Sequence, residues 1–387
     1  MKRYIKVVVC LIAMLGTEVV FGQEQSISDS SAASTTSAAV AYVYVSSSSG
    51  SSSKVNAYSA ASNGKLTPVL GSPFVANVGP MALNSKWLFG TNGIDIYSFS
   101  IASDGALNQV SSINAQHFNP YDSGGPGNLF LDHTGASLYD GDTYAYGTGD
   151  NAYESFSIDN STGQLNFLNL TPDGGTEVGS ALSFVGNNIY AYSASCYHYT
   201  PDIFAYKRNS DQVLSPLTIK APIPAAPNGG TYCPYLAAAD PTDHVAISLT
   251  PLTSDMGPDG PPQLATYTVG GSGNLTTTST PSNMPKTAVT SIQDIWMAPS
   301  GKLLAVAGTT GLQVFHFNGA SPITHYTGLL TKDEVDQMFW DNDNHLYAIS
   351  RTAGKLFVFT VTTTSYSQAA GSPYSIANPE NIIVLPK

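Results

Sequence analysis

One phrase recurs seven times along this chain, and it constrains the fold more than any other feature. It is an alternating apolar strand with an aromatic near its end, a turn of Gly, Asn, Asp or Ser, and then a branched apolar residue eight or nine positions beyond the aromatic. The copies are "VNAYSAASNGKL" at Tyr58, "IYSFSIASDGAL" at Phe99, "YESFSIDNSTGQL" at Phe156, "IFAYKRNSDQVL" at Tyr206, "LATYTVGGSGNL" at Tyr267, "LQVFHFNGASPI" at Phe315 and a degenerate "LFVFTVTTTSYSQ" at Phe359. Their aromatics stand 41 to 61 residues apart, the span of one propeller blade with loop insertions. Six copies follow a second signature of strand, polar turn and strand, as in "PMALNSKWLFG" and "QMFWDNDNHLYAIS". Each unit therefore has four strands, a (inner) to d (outer), and the expected fold is all-β: a seven-bladed β-propeller.

The first unit departs from this pattern. "AVAYVYVSS" supplies its second strand, but only a Ser/Ala-rich stretch stands where its inner strand belongs. The missing strand is "ENIIVLP", Glu380 to Pro386. A ring closed by the C-terminal strand joining the N-terminal blade leaves no open sheet edge. It also explains why "KVNAYSAASNGKLTPVLGSPF" (Lys54 to Phe74) returns blurred as "KLFVFTVTTTSYSQAAGSPYSI" (Lys355 to Ile376): first and last repeats are neighbours in a ring.

Residues ahead of the ring read as an export label. Lys2, Arg3 and Lys6 precede the apolar "VVVCLIAML", and Gly22 offers a cleavage point, so 1–22 is expected to be a signal peptide. Residues 23–40 have the composition of a flexible Ser/Ala-rich leader, and 41–387 form a single propeller domain. Removing 1–22 takes away three basic residues and one acidic one, moving the net charge from −12 to −14. Nucleic acid and anionic lipid are poor partners for such a protein, and no later stretch is long and apolar enough to span a bilayer. Location is expected to be secreted or periplasmic, the protein a monomer. Cys196 and Cys233 then remain as an even pair in an oxidising compartment, so a disulfide is expected.

The repeat, and above all "AYVYVSSSSGSSSKVNAYSAASNGKLTPVLGSPF", resembles the seven-bladed lactonase-type propellers, the family of propeller 6-phosphogluconolactonases and carboxymuconate cycloisomerases. The resemblance covers about residues 41–387 and implies a lactonase-like hydrolase. It also implies His, Arg and Glu at the channel mouth, in phrases such as "PRH" or "HPH". Neither phrase occurs, and beyond the signal segment only Arg208 and Arg351 remain. A phosphorylated substrate would meet little positive charge, which favours a neutral sugar-derived lactone.

Two groups of site candidates follow from strand order. The short a–b and c–d turns share one face of the ring, and the b–c and d–a loops share the other, where the insertions fall. Insertions on a rigid scaffold are where binding groups sit. That face carries His117, Tyr121, Asp122, Asp142, Tyr144, Tyr197, His198 and Tyr235, a set suited to hydroxylated ligands, although Tyr also serves simply as β-surface filler. Cys196 and Cys233 fall on it in adjacent blades. The second group is a polar arc at the starts of inner strands: Asp294, Asp336 and Glu380 as candidate acid/base carboxylates, with Gln293 and Gln337 as binding groups. The same arc could equally cap a water-filled channel. No cofactor is expected and no metal, since the His residues lack ligand spacing and "DNDN" lacks the Gly and distal Glu of a calcium loop. Two functions stay open: a secreted hydrolase of a small lactone, and a non-catalytic propeller that binds an extracellular glycan or protein through its long-loop face.

Overall fold

The structure, a computed structural model, describes residues 38–49, 52–115, 127–141, 152–172, 182–196 and 201–387. The expected signal peptide lies outside them, as does the leader before Ala38. Seven antiparallel sheets fill these residues, each running from an inner strand a to an outer strand d. Strand a is Met81–Leu83 in blade 2, Asn128–Leu131 in blade 3, Ser183–Phe184 in blade 4, Thr231–Ala239 in blade 5, Ile292–Met297 in blade 6 and Gln337–Trp340 in blade 7. In blade 1 the inner strand is Pro379–Pro386, paired antiparallel with Ala41–Ser49 from Ala41 opposite Pro386 to Ser46 opposite Asn381. The ring is therefore closed by a clasp of the two ends of the fold.

Each blade buries both faces, and this explains the composition of its strands. "LLAVAG", Leu303–Gly308, is apolar throughout and wholly buried, because alternate side chains serve different neighbours. Leu303, Ala305 and Ala307 pack toward blade 7, while Leu304 and Val306 pack toward blade 5. The clasp works the same way: Val43, Val45, Ile382 and Val384 face blade 7, whereas Tyr42, Tyr44, Ile383 and Leu385 face blade 2. Among the described residues there are seven apolar clusters, one for each interface between neighbouring blades.

The repeated aromatics hold these interfaces. Phe99, Phe156, Tyr206, Tyr267, Phe315 and Phe359 are buried, and only Tyr58 is half-buried. Tyrosines on strand b reach across to the c–d turn of the next blade: Tyr44 donates to the Gly105 carbonyl at 3.0 Å, Tyr139 to that of Gln212 at 2.7 Å and Tyr192 to that of Gly273 at 2.8 Å. The blurred repeat has a structural counterpart too. In blades 1 and 7 the outer strand is broken in two, Leu66–Pro68 with Phe74–Val75 and Tyr366–Gln368 with Tyr374–Ser375. At each break the "GSP" serine accepts a strand-c N–H, Ser72 from Ala57 at 2.8 Å and Ser372 from Val358 at 2.9 Å.

Candidate active site in the central channel

Strand a of every blade contributes to a central cavity of about 650 Å³. Asp294, Gln337, Asn381, Pro80, Asn128 and Tyr235 each stand directly before a buried apolar residue: Ile295, Met338, Ile382, Met81, Leu129 and Leu236. These are one ring position repeated around the channel. Three of its members bridge blades. Asp294 Oδ2 accepts the Met338 N–H at 2.8 Å, Gln337 Oε1 accepts that of Ile382 at 3.2 Å, and Asn381 Oδ1 accepts that of Met81 at 3.1 Å. An inner strand needs such acceptors because its channel-side N–H groups have no further strand to pair with.

Asp294 is the most perturbed of them. Burial inside the ring pushes its carboxyl up to about 7, against the N–H groups of Met338 and Ile295 and the Trp296 side chain, which pull the other way. The residue as a whole is half-buried and lines the cavity.

The other two carboxylate candidates lie at the blade 7 and blade 1 starts and are tied to a residue that sequence patterning did not single out. Arg351 follows strand b of blade 7 and lines the same cavity. Its main-chain N–H donates to Asp336 Oδ2 at 2.7 Å, and its Nε lies 3.8 Å from Asp336 Oδ1. Its Nε and Nη2 donate to the Glu380 carbonyl at 3.2 and 2.7 Å. The Glu380 carboxylate instead lies toward Gly79. Asp294 and Asp336 thus line the cavity, Asp294 tied to the blade 7 backbone and Asp336 to Arg351, while Glu380 holds the same Arg351 through its main-chain carbonyl. Gln293 turns to Glu334, its Nε2 donating to Oε1 at 2.7 Å. Glu334 belongs to the d–a loop before blade 7 and was not anticipated, nor were Trp296 and Phe339, whose rings meet in the channel at 4.5 Å. Arg351 was legible as one of two remaining arginines; its place on the rim depends on which b–c loop meets which inner strand.

Arg208, the other arginine, is structural. It pairs with Asp132 at 3.0 Å across blades 3 and 4. Burial alone would raise the Asp132 carboxyl, but Thr134, Asn188, the Ser137 N–H and Arg208 together hold it below the ordinary value. "DNDN" is a self-capped turn, with Asp341 accepting from the N–H groups of Asp343 and His345, both at 2.8 Å. No group of His, Cys, Asp and Glu that could hold a metal occurs among the described residues.

Of the long-loop candidates, Tyr235 is exposed and lines the channel cavity. His117, Tyr121, Asp122, Asp142, Tyr144, Tyr197 and His198 lie outside the described residues. Cys196 and Cys233 are joined, with Cα atoms 5.3 Å apart, stapling the end of blade 4 strand b to strand a of blade 5.

No protein-family model and no curated protein matches the sequence. Solved structures match its fold along nearly their whole length. A candidate 6-phosphogluconolactonase from Bacteroides fragilis superposes with a TM-score of 0.65 at 14% identity, covering 91% of this chain and 99% of its own. The periplasmic gluconolactonase of Pseudomonas aeruginosa gives 0.65 at 13% identity over 89% and 99%. A second candidate 6-phosphogluconolactonase, from Bacteroides uniformis, gives 0.64 at 14% over 90% and 100%. The protein therefore has the fold of the seven-bladed lactonase-type propellers.

Proposed function

We propose that the protein hydrolyses a small, neutral, sugar-derived lactone at the mouth of its central channel. The observation that carries this reading is the meeting, in one cavity of about 650 Å³, of a carboxyl that titrates near 7 and an arginine with unused N–H donors. Asp294, as carboxylate, takes a proton from water, and the water oxygen bonds to the lactone carbonyl carbon. Arg351 donates to the oxyanion that forms. As the carbonyl is restored, the bond to the ring oxygen breaks, and Asp294 returns its proton to that oxygen. Asp336 and Glu380 position Arg351. With Asp294 and Asp336 beside one guanidinium, the cavity offers a phosphorylated ligand little compensating positive charge and suits a neutral one. The disulfide, and a fold shared with a periplasmic gluconolactonase, support a secreted or periplasmic location.

The test is hydrolysis of D-glucono-1,5-lactone by the purified mature protein, measured above the spontaneous rate, beside its 6-phosphate. Turnover should favour the neutral lactone, and Asp294→Asn should lower kcat by about 100-fold or more. Efficient turnover of the phosphorylated lactone, or an unaltered Asp294→Asn variant, would sink the proposal. One observation favours the second reading, a non-catalytic propeller that binds a glycan or protein: Asp294, Gln337 and Asn381 already serve as links between blades. No turnover of either lactone, with ligand binding lost on replacing Tyr235 and Tyr197, would identify that function.

A further inference from the structure

Two positions beyond Asp294 and Gln337, on equivalent inner strands, stand Trp296 and Phe339. Their ring centroids are 4.5 Å apart with planes inclined at 48°. Trp296 lies on the innermost strand of its blade, yet 39% of it is exposed, and it lines the channel cavity. It is also held in place. Its carbonyl accepts the Trp340 indole N–H at 3.3 Å and its ring rests against that of Phe339, while much of its surface stays open. The same position in the other blades is occupied by Ile383, Ala82, Phe130, Ser183 and Ala237. Blades 2, 4 and 5 carry small residues there and blade 3 carries Phe130, so blades 6 and 7 are where two aromatic rings stand side by side on the cavity wall.

An exposed aromatic surface inside a cavity of ligand size, with a few polar groups at its edge, is the pattern of a small-molecule site. The polar groups lining the same cavity include Asp294, Asn128, Ser183, Asp336 and Arg351. We propose that Trp296 and Phe339 form a stacking platform for one face of a pyranose-sized ring, whose C–H groups lie on the aromatics while its hydroxyls meet the channel acceptors. This rests on the hydrolysis reading for the identity of the ring as a lactone, but it assigns binding to the channel wall instead of the long loops. Trp296 is then a specificity-determining residue: it selects cyclic over acyclic polyols.

The experiment is binding of D-glucono-1,5-lactam, a neutral analogue that does not hydrolyse, to the full mature protein by calorimetry and tryptophan fluorescence. Trp87 and Trp340 are buried, so a saturable change reports on Trp296. Trp296→Ala should weaken binding at least about tenfold, equivalent to ~1.4 kcal/mol, Trp296→Phe should retain most of it, and Phe339→Ala should weaken it while leaving the Trp296 reporter in place. The acyclic polyol D-glucitol should bind worse than the lactam. If the lactam does not bind, or binds Trp296→Ala and Phe339→Ala within about twofold of the native protein, the platform is wrong. The two readings fail separately: lactam binding that depends on Trp296 without lactone turnover keeps the platform and removes the hydrolase, whereas turnover lost in Asp294→Asn with unchanged binding by Trp296→Ala does the reverse.

Discussion

Asp294 carries two demands that pull its charge in opposite directions. As a link between blades it accepts N–H groups, which favour the carboxylate; as a group enclosed by the ring it is poorly solvated, which favours the acid. Burial wins, and the carboxyl titrates near 7 instead of its ordinary 3.8. Between those two values the native state holds the proton more firmly than the unfolded state. The stability Asp294 contributes is therefore greatest at low pH, falls as pH rises through that window and levels off above about 7. Asp294→Asn carries no such dependence. The difference in melting temperature, native minus Asp294→Asn, should shrink between pH 4.5 and pH 8; a difference that stays constant or grows would show that Asp294 is not perturbed in this way. Asp336 and Arg351, which line the same cavity, are unchanged by the substitution and cancel from the comparison.

The c–d turns show how one element fixes the spacing of the ring. Gly105, in the blade 2 turn, has φ +88°, and a Cβ there would come 2.5 Å from the Tyr42 ring of blade 1. The turn must be bare on that side because the neighbouring blade's tyrosine rests on it and donates to its carbonyls, Tyr42 to Ser103 at 2.7 Å and Tyr44 to Gly105. Gly93, in a b–c turn, has nearly the same φ of +86° but open space where a Cβ would stand. This separates backbone strain from packing. Gly93→Ala should cost ~1–2 kcal/mol of stability, and Gly105→Ala a further ~1–3 kcal/mol from the clash, as read by chemical denaturation. Equal losses at the two sites would mean that the contact between blades contributes nothing. Between blades 4 and 5 the same office is reinforced by the Cys196–Cys233 bridge, which closes a separation of 37 residues and is worth about 3–4 kcal/mol in the chain-entropy picture.

For the whole molecule, closure is the condition of stability. Truncation after Asn378 would remove Ile382, Ile383, Val384 and Leu385, all buried and divided between two interfaces. At ~1.5–3 kcal/mol for each side chain the loss approaches the ~5–15 kcal/mol that holds a typical domain folded, and the bared Ala41–Ser49 strand would offer an edge for aggregation. A soluble truncated protein that melts at the native temperature would count against the clasp.

The clasp was legible because it is a matter of counting: a unit lacking its inner strand and a strand lacking its unit can satisfy their backbone groups only by pairing, wherever the loops lead. Blade number and strand order are legible for the same reason, since each aromatic, turn and Leu reports on contacts within a repeat or with its immediate neighbours. The cysteine pair also followed, being forced together by adjacent blades. The sequence by itself thus determined the architecture and which residues belong to inner strands, because periodic burial writes itself into periodic composition. What only the tertiary structure decided is what those residues do. Asp294, Gln337 and Asn381 look alike as polar residues at strand starts, yet each is spent on the N–H of the next blade; Arg351 reaches the rim from a b–c loop; and Trp296 and Phe339, indistinguishable in a strand pattern from core, face an open lumen. These assignments depend on the radius of the ring and on which side chains meet across it, between residues about 40 positions apart or more, and no local pattern carries that distance.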